Sequence, residues 1–289
     1  MFYEGTIIRP PSEADSIILQ VTVGCSHNRC TFCGAYKGIQ FRIKEAHLLE
    51  ADIAFAARYC TRQKRVFLAD GDALILPQRK LISIVKNIRH NLPWVKRIST
   101  YGNAKAIRSK SMSELNELKD LGLDRIYMGL ESGHDDVLLT IKKGETAQSM
   151  VEAAGKVSEI DIFLSVTVLL GIGGVDLSDR HAEATGRVLS LMAPRQIAAL
   201  TLMPLANTPL YDQIQRGDFK LPDARGILKE LIILVQAISL DRVQFYANHA
   251  SNYLPLSGRL QRDREKIIQS IHLALSGGAS LVPERMRAL

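Results

Sequence analysis

Short apolar runs alternate with helical patterns six times along this 289-residue sequence, and few architectures accept that alternation. Strand candidates cover 16–23, 65–69, 96–100, 124–129, 162–170 and 197–203. Most are rich in Val, Ile and Leu with little polar alternation, the pattern of a parallel sheet covered on its outer face. Helix candidates lie near 44–62, 76–91, 112–121, 146–158, 177–192 and 209–216. Ser111 and Glu114 have the spacing of a capping box, and Pro209 suits the first turn of a helix. Six strand–helix units fit an α/β fold, either a partial (β/α)6 TIM-type barrel or a doubly wound sheet. In both, ligands sit beyond the carboxyl ends of the strands. Helices around 224–240 and 262–276 then flank VQFYANHASNYLPLSG, which reads as a short, mostly helical extension. We therefore expect a core over 1–217 and a C-terminal extension over 218–289 packing on the barrel.

Hydrophobic residues make up 46% and charged residues 23%, which excludes a disordered or fibrous chain. The opening MFYEGTIIRPPSEAD carries acids and no long apolar core, so it does not read as a signal peptide. The longest apolar stretch, 164–175, includes Ser and Thr and falls short of the ~20 residues that span a bilayer. The expectation is a soluble cytoplasmic protein with no membrane partner. Lys and Arg total 37 against 30 Asp and Glu, a net charge of +7. The stretch 73–113 has no acid and nine bases, so the remainder sums to −2. Such a flank attracts an anionic metabolite, RNA or an acidic redox protein. It lacks interleaved aromatics, so a solvated basic face is favoured over an RNA surface.

Four cysteines are too few for a disulfide scaffold, and Cys25, Cys30 and Cys33 crowd into GCSHNRCTFCGAY. Clustered thiols suit zinc or iron–sulfur chemistry. Three readings compete. A zinc ion would recruit His27 as its fourth ligand. A [2Fe–2S] centre would use Cys60, although the helical pattern of EADIAFAARYCTRQ suits a small buried thiol there. A [4Fe–4S] cluster on three thiolates would leave one iron open.

Several motifs, in order, resemble the radical S-adenosylmethionine (SAM) superfamily over residues 16–211. The cysteine loop follows the first strand and carries Phe32 just before Cys33. ADGDA follows the second strand, and GLESG with Lys142-Lys143-Gly144 is similar to oxygen-independent coproporphyrinogen oxidases and MiaB-like methylthiotransferases. VTVLLGIGG resembles the fifth-strand motif, and LTLMPLANTPLY the sixth-strand pattern. Two departures stand out. Ser26, His27, Asn28 and Arg29 put four residues between the first two cysteines instead of three, and Asn207 replaces a glycine before Thr-Pro.

The resemblance implies that Cys25, Cys30 and Cys33 hold a [4Fe–4S] cluster whose open iron takes SAM. It places Phe32 beside the adenine, Gly71 and Asp72 on the ammonium, and Glu131, assisted by Ser132, on the ribose. Lys143 would meet the carboxylate and Thr167 the ribose, while Gly171 would let the backbone approach SAM closely. It also implies an electron donor such as flavodoxin or ferredoxin, and an enzyme generating a 5′-deoxyadenosyl radical to abstract hydrogen from an unidentified small molecule. Tyr101, Asn103, Asn248, His249, Asn252 and Tyr253 are the substrate-side candidates, being hydrogen-bonding residues in loops after strands or between helices. His27 and His134 read as outer groups rather than bases. The competing functions are an RNA- or tRNA-modifying radical SAM enzyme, and a non-catalytic iron–sulfur electron carrier or zinc protein.

Overall fold

The protein is described from a computed structural model over residues 1–288. Its strands and helices run β1 (Ile17–Gln20), β2 (Thr22–Val23), β3 (Arg42–Ile43), α1 (Ala46–Tyr59), β4 (Arg65–Ala69), α2 (Gln78–Asn91) and β5 (Arg97–Tyr101). They continue with α3 (Ala104–Ser109), α4 (Met112–Asp120), β6 (Leu123–Glu131), α5 (Asp135–Thr140), α6 (Ala147–Glu159), β7 (Phe163–Leu170) and α7 (Gly174–Met192). The chain ends through β8 (Gln196–Thr201), α8 (Pro209–Arg216), α9 (Ala224–Ala237), β9 (Val243–Ala247), β10 (Leu256–Leu260) and α10 (Arg264–Leu275). An eight-stranded sheet has the order β1-β4-β5-β6-β7-β8-β9-β10, and β2 and β3 form a small antiparallel ribbon. The α/β expectation holds, with a mostly parallel sheet of the partial-barrel kind.

The chain divides into two compact units. The first comprises Met1–Asn28, Ala35–Met128 and Gly155–Leu164. Here β1, β4 and β5 pair in parallel, with β6 parallel to β5. Val66, Phe67, Leu68 and Ala69 of β4 are all fully buried, as a strand covered on both faces requires. Phe67 meets Tyr101 and Tyr127 edge-on, at centroid distances of 5.0 and 5.9 Å. Burial of a ring of this size contributes ~2–3 kcal/mol. Helix α1 buries Leu49, Ile53 and Ala56, and α2 buries Leu81, Val85 and Ile88, each set following the helical repeat. The Ser111–Glu114 capping box forms with both of its hydrogen bonds.

The second unit comprises Arg29–Gly34, Gly129–Ala154 and the chain from Ser165 onward. In it β7, β8 and β9 pair in parallel, and β10 runs antiparallel to β9. Helices α7 and α9 cross closely because Gly186 lacks a side chain; a Cβ there would lie 2.5 Å from the Ala237 Cβ. Thr208 caps α8 through the Tyr211 amide, with Pro209 in its first turn as the sequence suggested. Strands β9 and β10 were not anticipated. Val243, Phe245 and Ala247 are buried while Gln244 and Tyr246 are not, a two-residue period spanning only five residues beside a cluster of turn-forming Asn, His and Ser. Among the described residues, no helix is long and apolar enough to cross a membrane.

Candidate active site

In the first unit, the loop after β2 and the turn after β4 interlock. Gly71 lies against the cysteine loop: a Cβ on it would sit 2.9 Å from the Cys25 Cβ and 2.7 Å from Tyr36 Cε2. Glycine is required here by approach, since only backbone fits. The fully buried Asp72 accepts from the Ser26 hydroxyl at 2.6 Å, the Asn103 amide N–H at 3.2 Å and Asn103 Nδ2 at 2.7 Å. Asn103 also caps α3 by accepting from the Ala106 N–H. A single carboxylate thus braces the cysteine loop against the end of β5. Beside it, Asp70 accepts from Gln20 Nε2 and from the Tyr36 hydroxyl. Burial raises the Asp70 pKa despite those bonds, and burial with the neighbouring carboxylate raises that of Tyr36.

The extra residue between the first two cysteines has a visible accommodation. Asn28 adopts a left-handed backbone with φ 40°, a conformation Asn tolerates better than most residues. Its Nδ2 donates to the carbonyls of Tyr36 at 2.8 Å and Ile39 at 3.2 Å. The wider turn is therefore pinned to the far limb of the same loop.

In the second unit, Thr31 donates from its amide to the Ile141 carbonyl, and its own carbonyl accepts from Leu210. Asn207 Nδ2 donates to the Gly34 carbonyl at 2.9 Å, and a Cβ on Gly34 would collide with Asn207 Oδ1 at 2.2 Å. The Asn that departs from the family pattern thus clamps the backbone just after Cys33. Phe32 is half-buried beside it.

The end of β6 carries the next group. Glu131 has φ 62°, and its Oε1 accepts from Lys143 Nζ at 2.8 Å. Both side chains fold over Gly129, where a Cβ would meet Glu131 Oε1 at 2.2 Å and Lys143 Nζ at 3.1 Å. Ser132 is fully buried, with its hydroxyl 2.8 Å from His181 Nδ1. Thr167 is half-exposed on β7, opposite Ala198 of β8. Gly171 has φ 83°, which favours glycine, and its amide donates to Glu230 Oε1 at 2.7 Å.

The substrate-side candidates separate. Tyr101 packs on Phe67 and Tyr127 in the first unit, where burial raises its pKa. Asn252 is buried, bridging the Thr201 hydroxyl and the Ala199 carbonyl. Tyr253 donates to Glu284 and stacks under the Arg287 guanidinium at 4.0 Å. Asn248 is exposed, and His249 Nδ1 accepts from the Ser251 amide. Sequence reasoning missed His181, Glu230 and Arg287, which lie on helices or in the C-terminal segment, away from any motif.

Cys25 falls in the first unit and Cys30 and Cys33 in the second. All three are partly exposed, and among the described residues no cysteine forms a disulfide. No three His, Cys, Asp or Glu side chains among those residues surround a single-ion position. A cubane cluster asks for a different arrangement, because each thiolate takes a separate iron.

Residues 19–184 match the Radical SAM superfamily, over more than half of the chain. A GTP 3′,8-cyclase of Listeria monocytogenes serotype 4b is 26% identical over 170 residues, which is 57% of this chain and 49% of the relative. The chain thus spans about half the length of the curated relatives it matches. Methylornithine synthase PylB superposes with a TM-score of 0.57 at 14% identity, covering 91% of this chain and 69% of PylB. Coproporphyrinogen III oxidase HemN from Escherichia coli, a radical SAM enzyme, superposes at 0.55 with 16% identity, covering 76% of this chain and 52% of HemN. Members of the superfamily are enzymes that use a [4Fe–4S] cluster and SAM, and they need a reductant and a substrate. By the match of its strand–loop core from Leu19 to Ala184, and by the α/β sheet that carries it, the chain belongs to the radical SAM superfamily.

Proposed function

We propose that this chain cleaves SAM reductively and uses the resulting 5′-deoxyadenosyl radical to abstract hydrogen from a small-molecule substrate. The observation that carries this reading is the fit between Gly71 and Cys25, in which the turn after β4 packs against the Cα and Cβ of that cysteine. The donor set agrees: three soft thiolates within nine positions suit an iron–sulfur cluster with one iron left open. When bound, the cluster would supply the single electron that reductive cleavage of the SAM sulfonium–C5′ bond requires.

The chain's own residues bind and orient. Cys25, Cys30 and Cys33 hold the cluster, and Phe32 offers a ring face to the adenine. The Asp72 carboxylate is occupied by Ser26 and Asn103. It therefore acts as the brace of the turn, and the backbone at Gly71 presents the acceptors for the ammonium. Glu131 accepts from the ribose, Lys143 neutralises the SAM carboxylate, and Gly129 gives both side chains room. Thr167 and Gly171 line the backbone approach. Exposed bases on the 73–113 flank, among them Arg79, Lys80, Lys105 and Arg108, receive an acidic electron donor of the flavodoxin or ferredoxin type. We place the enzyme in the cytoplasm, where its thiols stay reduced.

Anaerobic reconstitution tests the reading. About four irons per chain are expected, with 5′-deoxyadenosine released from SAM on adding dithionite. An intact cluster that yields no 5′-deoxyadenosine rules the reading out. RNA as substrate is separated by tRNA co-purification that weakens steeply with salt.

A further inference from the structure

A buried polar chain in the second unit joins two turns that are forty residues apart in sequence. Glu230, from the middle of α9, is fully buried; its Oε1 accepts from the Gly171 N–H at 2.7 Å and its Oε2 from the Ser178 hydroxyl. The same Oε1 lies 3.5 Å from His181 Nε2. His181, 1% exposed, turns its other nitrogen to the Ser132 hydroxyl at 2.8 Å. Ser132 accepts from the His134 N–H at 3.0 Å, and the Gly133 N–H donates to Thr185 Oγ1 at 2.8 Å.

With the Ser132 proton on His181 Nδ1, the ring's Nε2–H is left for the Leu169 carbonyl, with Glu230 Oε1 3.5 Å away. Burial agrees, holding His181 down to about 4 as a neutral ring. The other ionisable neighbours are Asp179, which acts on Glu230, and His134, which acts on His181.

We infer that His181 and Glu230 are positioning residues that couple the turn after β6, carrying Glu131, to the glycine turn after β7, so that both reach SAM as one rigid element. This rests on the reading that both turns contact SAM. Buried, fully satisfied networks rigidify what they join, and a partly satisfied one loosens it as a unit. Neither residue touches the cofactor in this scheme; each fixes backbone that does.

The experiment is a double-mutant cycle on cluster-loaded protein, read by SAM titration calorimetry and by amide hydrogen exchange without SAM. Ser132→Ala and Glu230→Ala should each weaken SAM binding about tenfold, and the double variant should stay near that same tenfold loss rather than reach a hundredfold. Glu230→Gln keeps an acceptor for Gly171 and should stay within about threefold of wild type. Leu231→Ala, a buried change on the same helix, should lower stability without changing SAM affinity. Exchange should rise at Gly171 in Ser132→Ala and at Gly133 in Glu230→Ala. Multiplicative affinities, or exchange confined to the mutated turn, overturn the coupling while leaving SAM binding by the wild type intact. A wild type that binds no SAM overturns the reading of the turns, and the inference with it.

Discussion

Lys143 Nζ donates to Glu131 Oε1 at 2.8 Å across the space left by Gly129. Both side chains are 13% exposed. The two residues that the superfamily resemblance assigns to opposite ends of SAM therefore hold each other in place. A charge-assisted bond of this burial is worth ~1.5–3 kcal/mol. Gly129→Ala places a methyl group where Glu131 Oε1 now lies and should drive the pair apart. We expect SAM affinity to fall at least about tenfold, by calorimetry, with iron content unchanged.

Gly71 makes a sharper case because its neighbour is a thiol-bearing residue. Gly71→Ala sets a Cβ 2.9 Å from the Cys25 Cβ, and the loop must move. Iron incorporation should drop below about half of wild type, a strain effect typical of ~1–3 kcal/mol for overpacking. Gly155→Ala is the control. Its Cβ meets nothing within 4 Å, and in the middle of α6 the change should stabilise by ~1 kcal/mol.

Replacing Cys25, Cys30 or Cys33 singly by Ala should abolish the brown colour and the paramagnetic signal of the reduced cluster. Cys60→Ala should leave both intact, since Cys60 sits at the C-terminal end of α1, outside the loop that carries the other three thiols. Loss of the signal in Cys60→Ala would instead point to a [2Fe–2S] ligand set.

The His181–Glu230 pair predicts an unusual pH response. His181 is held down to about 4, so its contribution to stability is complete above the unfolded value and is lost as pH falls through about 4. Glu230 is raised to about 7, so its contribution is complete below the unfolded value and is lost as pH rises toward 7. Between pH 4.5 and 6.5 the two slopes oppose and the wild type should be nearly flat on their account. Glu230→Gln removes one arm. Its unfolding free energy from urea titration should then climb with pH over that window, by up to ~1.4 kcal/mol per pH unit.

Arg287 anchors the C-terminal segment. Its side chain is 3% exposed, donates to the Ser251 carbonyl at 2.7 Å and the Tyr253 hydroxyl at 2.6 Å, and stacks on the Tyr253 ring. Arg287→Ala should cost ~2–4 kcal/mol in chemical denaturation, and Arg287→Lys should recover little, because a point charge cannot reproduce the planar fork.

The pieces of the candidate site were legible as local patterns before any tertiary contact. Cysteines at 25, 30 and 33, a glycine turn after the second long strand and GLESG are local patterns, and each sits where its strand ends. The strand bounds of β4 match the sequence reading because five consecutive residues carry one unbroken signal. Asp72 shows where that legibility stops. Its type and place were readable, but its occupation by Ser26 and Asn103 depends on loops separated by 46 and 31 residues.

His181 and Glu230 lie further from view. A histidine and a glutamate on amphipathic helices look like solvent-facing positions until packing buries them against each other. Asn207 was noticed only as a departure, and its use as a clamp on Gly34 spans 173 residues. Local sequence determined the alternation of elements, the thiol cluster and the turns, because propensity and spacing act over a few residues. Tertiary structure alone decided which polar side chains are buried together, since a long-range hydrogen bond leaves no periodic trace in the chain that makes it.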